Sequence, residues 1–209
     1  MNSPATLSDE LLAQLQGGPM QQISQQLGTD TAQTQDAVSA AIPMLLGTLG
    51  QNASQPQGAQ ALFGALERDH AGGGADLGGL LGSLLGGGAG AGANAAQVDG
   101  ASILGNIFGG NQQRAEENLG QATGLGGGNA SNLLQILAPI VMAFLAKRMQ
   151  GNNMDAGSLG SELGQERDAV QQQGGLGGGL LGSMLDQDGD GQVGLGDLLK
   201  MGGGLFGKR

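Results

Sequence analysis

The chain has 209 residues, of which 45 are Gly and 5 are Pro, and its formal net charge is −10. Cysteine, tryptophan and tyrosine are absent and the four Phe lie in apolar runs, which excludes disulfides, zinc–thiolate sites and aromatic platforms for single-stranded nucleic acid. The eight cationic residues are scattered, and the acidic balance repels a nucleic-acid backbone, so we expect no nucleic-acid partner.

The first seventy residues carry helix signals with clear stops. Ser8 stands before acidic residues like a helix start, and apolar spacing predicts a helix over 9–16. A second helix, 20–27, ends at Gly28, because glycine suits a left-handed C-terminal cap. A long helix follows from about 31 to 50 with Pro43 inside it as a predicted kink, and a further helix covers 56–69.

The second half repeats this alternation after a Gly-rich stretch. Residues 71–97 have linker composition, and helices are predicted over about 98–108, 114–123 and 132–149. The longest apolar run covers only 133–146, whereas a membrane-spanning helix needs about 20 residues. We therefore expect a buried core helix there and no transmembrane segment.

A shift of 96 residues aligns residues 23–49 with residues 119–145 without a gap. Gly28 then falls on Gly124 and Pro43 on Pro139, and with one more residue of offset Leu62 and Leu66 fall on Leu159 and Leu163. The coincident glycine and proline favour duplication of a helical unit over chance alignment of two leucine-rich helices. The predicted organisation is an N-terminal unit (1–70), a Gly-rich linker (71–97), a second unit (98–172) and a Gly-rich tail (173–209).

Because β-branched and aromatic residues are scarce, the predicted fold class is all-α. We expect a bundle of short helices with two long, proline-kinked helices, an internal duplication and flexible Gly-rich linkers.

The tail contains a pattern typical of an EF-hand loop. Carboxylates occupy loop positions 1, 3, 5 and 12, Gly191 supplies the sharp turn at position 6, and the carbonyl of position 7 can face the ion. Alternate residues of such a loop converge on one point, which suits a hard cation that needs six to eight oxygen ligands. The predicted ligands are Asp186, Asp188, Asp190, Gln192 and Asp197.

Ca²⁺ is the predicted cation. Mg²⁺ is the alternative, because Asp197 is shorter than the usual closing glutamate and coordinates with one oxygen, which weakens the selectivity for Ca²⁺. The loop followed by a helix is similar to the calcium half-repeats of dockerins, but only one copy is present, so a cohesin partner is not implied. The competing interpretation is a surface turn rich in Asp and Gly that binds no ion.

Five segments of the chain match a known family pattern: Gln25-Gln26-Leu27-Gly28, the stretch 41–47 around Pro43, Gly105-Asn106-Ile107-Phe108-Gly109, Leu137-Ala138-Pro139 and the start of the Asp-rich loop. Through these segments most of the chain, about 7–207, resembles the bacterial "domain of unknown function 937" family, which is related to YidB-like proteins. The resemblance implies an α-helical bacterial protein that ends in an Asp-rich loop. It implies no activity.

No catalytic constellation accompanies these features. The lone His70 ends a predicted helix, and Glu116 and Glu117 are adjacent, so they point in different directions on a helix. We predict a non-enzymatic protein, cytoplasmic because no signal peptide precedes Asp9, whose cation loop orders the tail and presents the helix 195–206 to an unidentified protein partner. The alternative is a membrane-surface or self-assembling protein in which the segments 77–85 and 176–185 are adhesive.

Overall fold

The structure is a computed structural model that describes residues 6–69 and 99–173. The predicted linker over 71–97 and the tail from residue 174 onward lie outside the described residues. Within the described part the chain is α-helical with no strand, which confirms the predicted fold class. The helices are α1 (Leu7–Leu15), α2 (Gly18–Leu27), α3 (Thr31–Ala53), α4 (Pro56–Asp69), α5 (Gly100–Phe108), α6 (Gln112–Thr123), α7 (Gly127–Gly151) and α8 (Ala156–Gln173), with a 3₁₀ turn at Gly109–Asn111.

The start of α1 differs from the prediction. Thr6, and not Ser8, is the N-cap: its hydroxyl accepts a hydrogen bond from the Asp9 backbone N–H, and the Asp9 carboxylate accepts one from the Thr6 backbone N–H. This reciprocal pair satisfies two of the donors that a helix start leaves unpaired. The prediction for Ser8 was wrong because that residue is the second residue of the helix, where it is buried.

The two long helices, α3 and α7, form the centre of the molecule. Pro43 and Pro139 lie inside them, and both helices continue on either side of the proline. A proline in a helix interior removes one backbone hydrogen bond, and here the loss is offset by burial of nearly every apolar side chain around it. The core cluster runs continuously through both helices and the shorter ones packed on them.

The duplication predicted from the sequence is visible in how the halves are built. All fourteen buried residues of α3 fall on buried residues of α7 when their numbers are raised by 96. Gly28 and Gly124, which end α2 and α6, both adopt the left-handed conformation, with φ of 67° and 69°. The helix order also repeats, so α1 to α4 correspond to α5 to α8.

The two units share a single core. α1 and α2 pack on α3, α5 and α6 pack on α7, and α3 also contacts α7. The last helix crosses between units, because α8 packs along α3 and against α4 of the first one. Its counterpart α4 contacts α7 far less extensively, so the two halves are not packed symmetrically.

Candidate functional site

The predicted cation ligands, Asp186, Asp188, Asp190, Gln192 and Asp197, lie outside the described residues. In the stretches 6–69 and 99–173, no three His, Cys, Asp or Glu side chains gather closely enough to hold a metal ion. The described helices therefore offer no competing metal centre of that kind.

A groove lies between α4 and α5 of the described helices, with a volume of about 580 Å³. Its floor consists of buried apolar side chains contributed by four helices: Leu49, Leu62, Ile107, Phe108 and Met142. Ile103, Ala61 and Ala65 extend the apolar lining toward its edges. A groove of this size and character matches the usual dimensions of a small-molecule site.

Three polar side chains stand around this apolar lining. Asn52 donates a hydrogen bond from Nδ2 to the Ile107 carbonyl oxygen at 2.8 Å, which ties the end of α3 to α5. Arg68 donates from Nε to the Gly64 carbonyl oxygen at 2.9 Å, which fixes its guanidinium near the end of α4. Asn106 is exposed on α5. Arg68 is the only charged residue among the described residues that line the groove.

The corresponding junction of the other unit, between α8 and α1, is closed by charged side chains. Arg148 near the end of α7 pairs with Glu162 of α8 at 2.6 Å, Nε to Oε1, and with Glu10 of α1. Beside this pair, Glu166 is 4% exposed and accepts hydrogen bonds from the backbone N–H groups of Leu7 (2.8 Å) and Ser8 (3.1 Å), and from the Ser8 hydroxyl. The result is a cross-link of α1, α7 and α8.

At the groove, the residues that would make this cross-link are absent. The position equivalent to Arg148 is Asn52, by the 96-residue shift, and the position equivalent to Glu162 is Ala65, with one more residue of offset. The helix α5, which corresponds to α1, has no charged residue at all. The two units therefore differ at this place. The junction between α8 and α1 is closed by charged side chains and is called the sealed junction, and the groove between α4 and α5 is called the open junction.

The two units also differ in how closely their last helix approaches a long helix. A methyl group on Gly50 of α3 would overlap the backbone carbonyl of Leu163, so this glycine lets α8 lie directly on α3. Gly160 of α8 likewise approaches the Ala53 carbonyl. The equivalent positions in the other pair are Ala146 on α7 and Phe63 on α4, whose larger side chains fit the less extensive contact between those helices.

The described lining of the groove is poor in groups that could carry a reaction. The described residues that line it include no carboxylate, histidine, serine or threonine, so they provide neither a general base nor a hydroxyl nucleophile. The carboxylates with perturbed pKa values lie elsewhere: hydrogen bonds from Ser102 lower the pKa of Asp99, and those from Ser158 lower the pKa of Asp155. Both aspartates cap helix starts.

The motifs and apolar spacing of the sequence did not predict this groove. Its lining comes from residues 49–68 and 103–109 together with Met142, which are brought near each other because α5 packs on α7 and contacts α3, while α4 packs beside α3. The one usable signal was the loss of charge at Asn52 and Ala65 relative to Arg148 and Glu162 in the 96-residue alignment.

The helix α7 is long and apolar enough to cross a membrane by length and composition alone. Of its most apolar 18-residue window, however, 78% is buried inside the protein. A core helix of a globular protein meets the same criterion.

The profile of a family described as "Bacterial protein of unknown function (DUF937)" matches residues 9–148, which include α2 to α6 and most of α1 and α7. No curated protein and no solved structure matches the chain.

Proposed function

Since this chain belongs to the bacterial family of unknown function DUF937, we propose its function from its own residues: a non-enzymatic, cytoplasmic binding protein with a C-terminal divalent-cation loop. The observation that carries the proposal is the spacing of carboxylates at loop positions 1, 3, 5 and 12 around a position-6 glycine. The proposed ligands are Asp186, Asp188, Asp190, the carbonyl of Gln192, and Asp197.

Cation binding has a direct thermodynamic consequence in this proposal. Four carboxylates that converge on one point repel one another, and a divalent cation removes that repulsion. A ligand that binds only the folded loop stabilises that form by mass action. We propose Ca²⁺ as the cation and Mg²⁺ as its competitor, because Asp197 supplies one oxygen where a glutamate would supply two.

The non-enzymatic part of the proposal is supported by what the described carboxylates do. Asp99 and Asp155 cap helices, Glu166 caps α1 from a distance, and Glu10 and Glu162 pair with Arg148. Each has a structural partner that accounts for its position. No hydrolytic or transfer chemistry is needed to explain them.

Isothermal titration with Ca²⁺ and with Mg²⁺ tests the cation loop. The full chain is expected to bind Ca²⁺ saturably, and Asp186→Ala is expected to abolish the heat. Asp36→Ala is the matched control, because Asp36 is an exposed aspartate of α3. Absence of heat for the unsubstituted chain, or equal heats for the chain and Asp186→Ala, would exclude the cation loop.

The competing function, a membrane-surface or self-assembling protein, predicts different behaviour in solution. Such a protein should sediment with liposomes or scatter more light as its concentration rises. The cation-binding protein proposed here should do neither, with or without Ca²⁺.

A further inference from the structure

We infer that the groove between α4 and α5 is a binding site for a small amphiphile, an apolar chain that ends in an acidic group. The inference concerns residues 49–142 and does not depend on the cation loop. It rests on the volume and lining of the groove, on the single charge at its edge, and on the difference between the two duplicated junctions.

The apolar floor of the groove favours a ligand with a hydrocarbon chain. Side chains of Leu49, Leu62, Ile107, Phe108 and Met142 contribute to one continuous lining, and each is less than a tenth exposed. A hydrocarbon chain that displaces water from such a surface gains affinity. Each methylene group that becomes buried raises the binding constant about fourfold. The 580 Å³ volume suits a single chain of medium length and is too small for a folded peptide helix with its side chains.

The guanidinium of Arg68 favours an acidic group at the end of the ligand. Its Nε is held by the Gly64 carbonyl, and its guanidinium forms no ion pair with any of the side chains that the structure describes, which do not include that of Asp69. A guanidinium presents parallel N–H donors that match a carboxylate or a phosphate in two-point geometry. With no carboxylate among the described lining residues, the groove favours an anion over a cation.

The sealed junction indicates why this space is available. There, Arg148 and Glu162 fill the angle between helices with the protein's own charged pair, and Gly50 draws α8 down onto α3. Asn52, Ala65, Ala146 and Phe63 remove each of those contacts from the equivalent position. A bound ligand would occupy, at the open junction, the volume that side chains occupy at the sealed one.

Titration calorimetry of the full chain with decanoate, below its micellar concentration, tests the inference. We expect saturable one-to-one binding, and decyl phosphate should bind as well because Arg68 recognises either acid. Decyltrimethylammonium, which has the same chain and the opposite charge, should bind at least tenfold more weakly.

Three variants locate the binding. Arg68→Gln should weaken decanoate binding about five- to tenfold, the range expected for a partly exposed charged hydrogen bond. Arg114→Gln, an equal charge change at an exposed position of α6, should leave it unchanged. Ala65→Phe should fill the groove and abolish binding, with circular dichroism to verify that the helices remain.

Several results would overturn the inference. One is decanoate affinity unchanged by Ala65→Phe, which would place the ligand elsewhere. Another is equal binding of the cationic and anionic probes. Binding only to anionic phosphatidylglycerol vesicles and not to monomeric decanoate would assign the groove to a membrane. Self-association abolished by Ala65→Phe, without decanoate binding, would assign it to a second copy of the chain.

Discussion

Glu166 secures the first helix of the chain from 158 residues away. Its two carboxylate oxygens accept the backbone N–H groups of Leu7 and Ser8 and the Ser8 hydroxyl, all in a buried setting. These are donors of the first turn of α1, which would otherwise lack partners. A negative charge at a helix N-terminus is also favoured by the helix dipole.

Replacement of Glu166 by alanine is expected to lower the free energy of unfolding by about 2–4 kcal/mol, because three buried donors lose their acceptor. Glu166→Gln keeps one acceptor oxygen and should lose less. Glu117→Ala, an exposed carboxylate on α6, should change stability by no more than about 0.5 kcal/mol. Urea unfolding of the three variants measures this, and equal effects of Glu166→Ala and Glu117→Ala would contradict it.

Two aspartates make helix starts sensitive to acid. Asp99 accepts the Ser102 hydroxyl at 2.6 Å and its backbone N–H at 3.1 Å, and Asp155 accepts the Ser158 backbone N–H at 2.7 Å. These hydrogen bonds lower the pKa of both carboxyls in the folded protein. Their contribution is therefore complete above the unfolded pKa of about 3.9 and is lost as the pH falls through the lower folded value.

The double variant Asp99→Asn with Asp155→Asn should lose less stability on acidification than the unsubstituted chain. Asparagine keeps the cap but does not titrate in this range. Urea unfolding measured from about pH 6 down to about pH 2 should give curves that converge as the pH falls. Parallel curves would mean that the two carboxyls titrate alike in the folded and unfolded states.

Local patterns predicted caps only approximately. Thr6 and Ser8 are both acceptable N-caps, but only Ser8 is directly followed by acidic residues, so the sequence alone favoured the wrong one. The choice depends on Glu166, which takes up the Ser8 hydroxyl and leaves Thr6 to cap the helix. A partner so distant in the chain leaves no short-range signature.

At the level of helices, one pair of small residues contributes to the difference between the two junctions. Gly50 allows the backbone of α8 to approach α3, while Ala146 stands at the equivalent position of α7. Interiors are packed to crystal-like density, so a single methyl group decides whether two helices can touch. The asymmetry of the duplicated units follows from such substitutions.

Gly50→Ala should lower the free energy of unfolding by about 1–3 kcal/mol, because the new methyl group meets the Leu163 carbonyl and pushes α8 away. The same exchange at Gly64 of α4 meets no atom and should raise it by up to about 1 kcal/mol through helix propensity. Thermal unfolding of the two variants compares them. Two shifts of the same sign would contradict the proposed packing of α8 on α3.

Helix positions were largely predictable, and the reasons are local. Apolar spacing and glycine stops located α2, α3 and α4, and the 96-residue repeat anticipated Leu159 and Leu163 of α8. The start of α7 was placed too late because Gly127 and Gly128 are poor helix formers. Burial of Ala130 in the following turn offsets that cost.

At the scale of the whole molecule, the described chain consists of two copies of a helical unit that differ in how the last helix of each copy packs. The matching burial of α3 and α7 establishes the common architecture, and the loss of Arg148 and Glu162 equivalents leaves the groove. The sequence could predict the duplication because proline and glycine mark it. It could not predict the groove, which arises from packing between helices distant in the chain.

The proposed cation loop is separate from the groove. Its proposed ligands are close in sequence, so their spacing alone supports a prediction, whereas the groove required the three-dimensional structure. Because the two proposed sites share no residue, we expect the affinity for decanoate in calorimetry to be the same with and without Ca²⁺.

The most direct test of the open junction is to seal it with the residues of the closed one. Asn52→Arg together with Ala65→Glu recreates the Arg148–Glu162 pair between α3 and α4. Gln113→Arg with Ala122→Glu adds the same charges at exposed positions of α6 as a control. Titration with decanoate should detect no binding to the sealed variant, with helicity retained, and unaltered binding to the control; unaltered binding to the sealed variant would contradict the account.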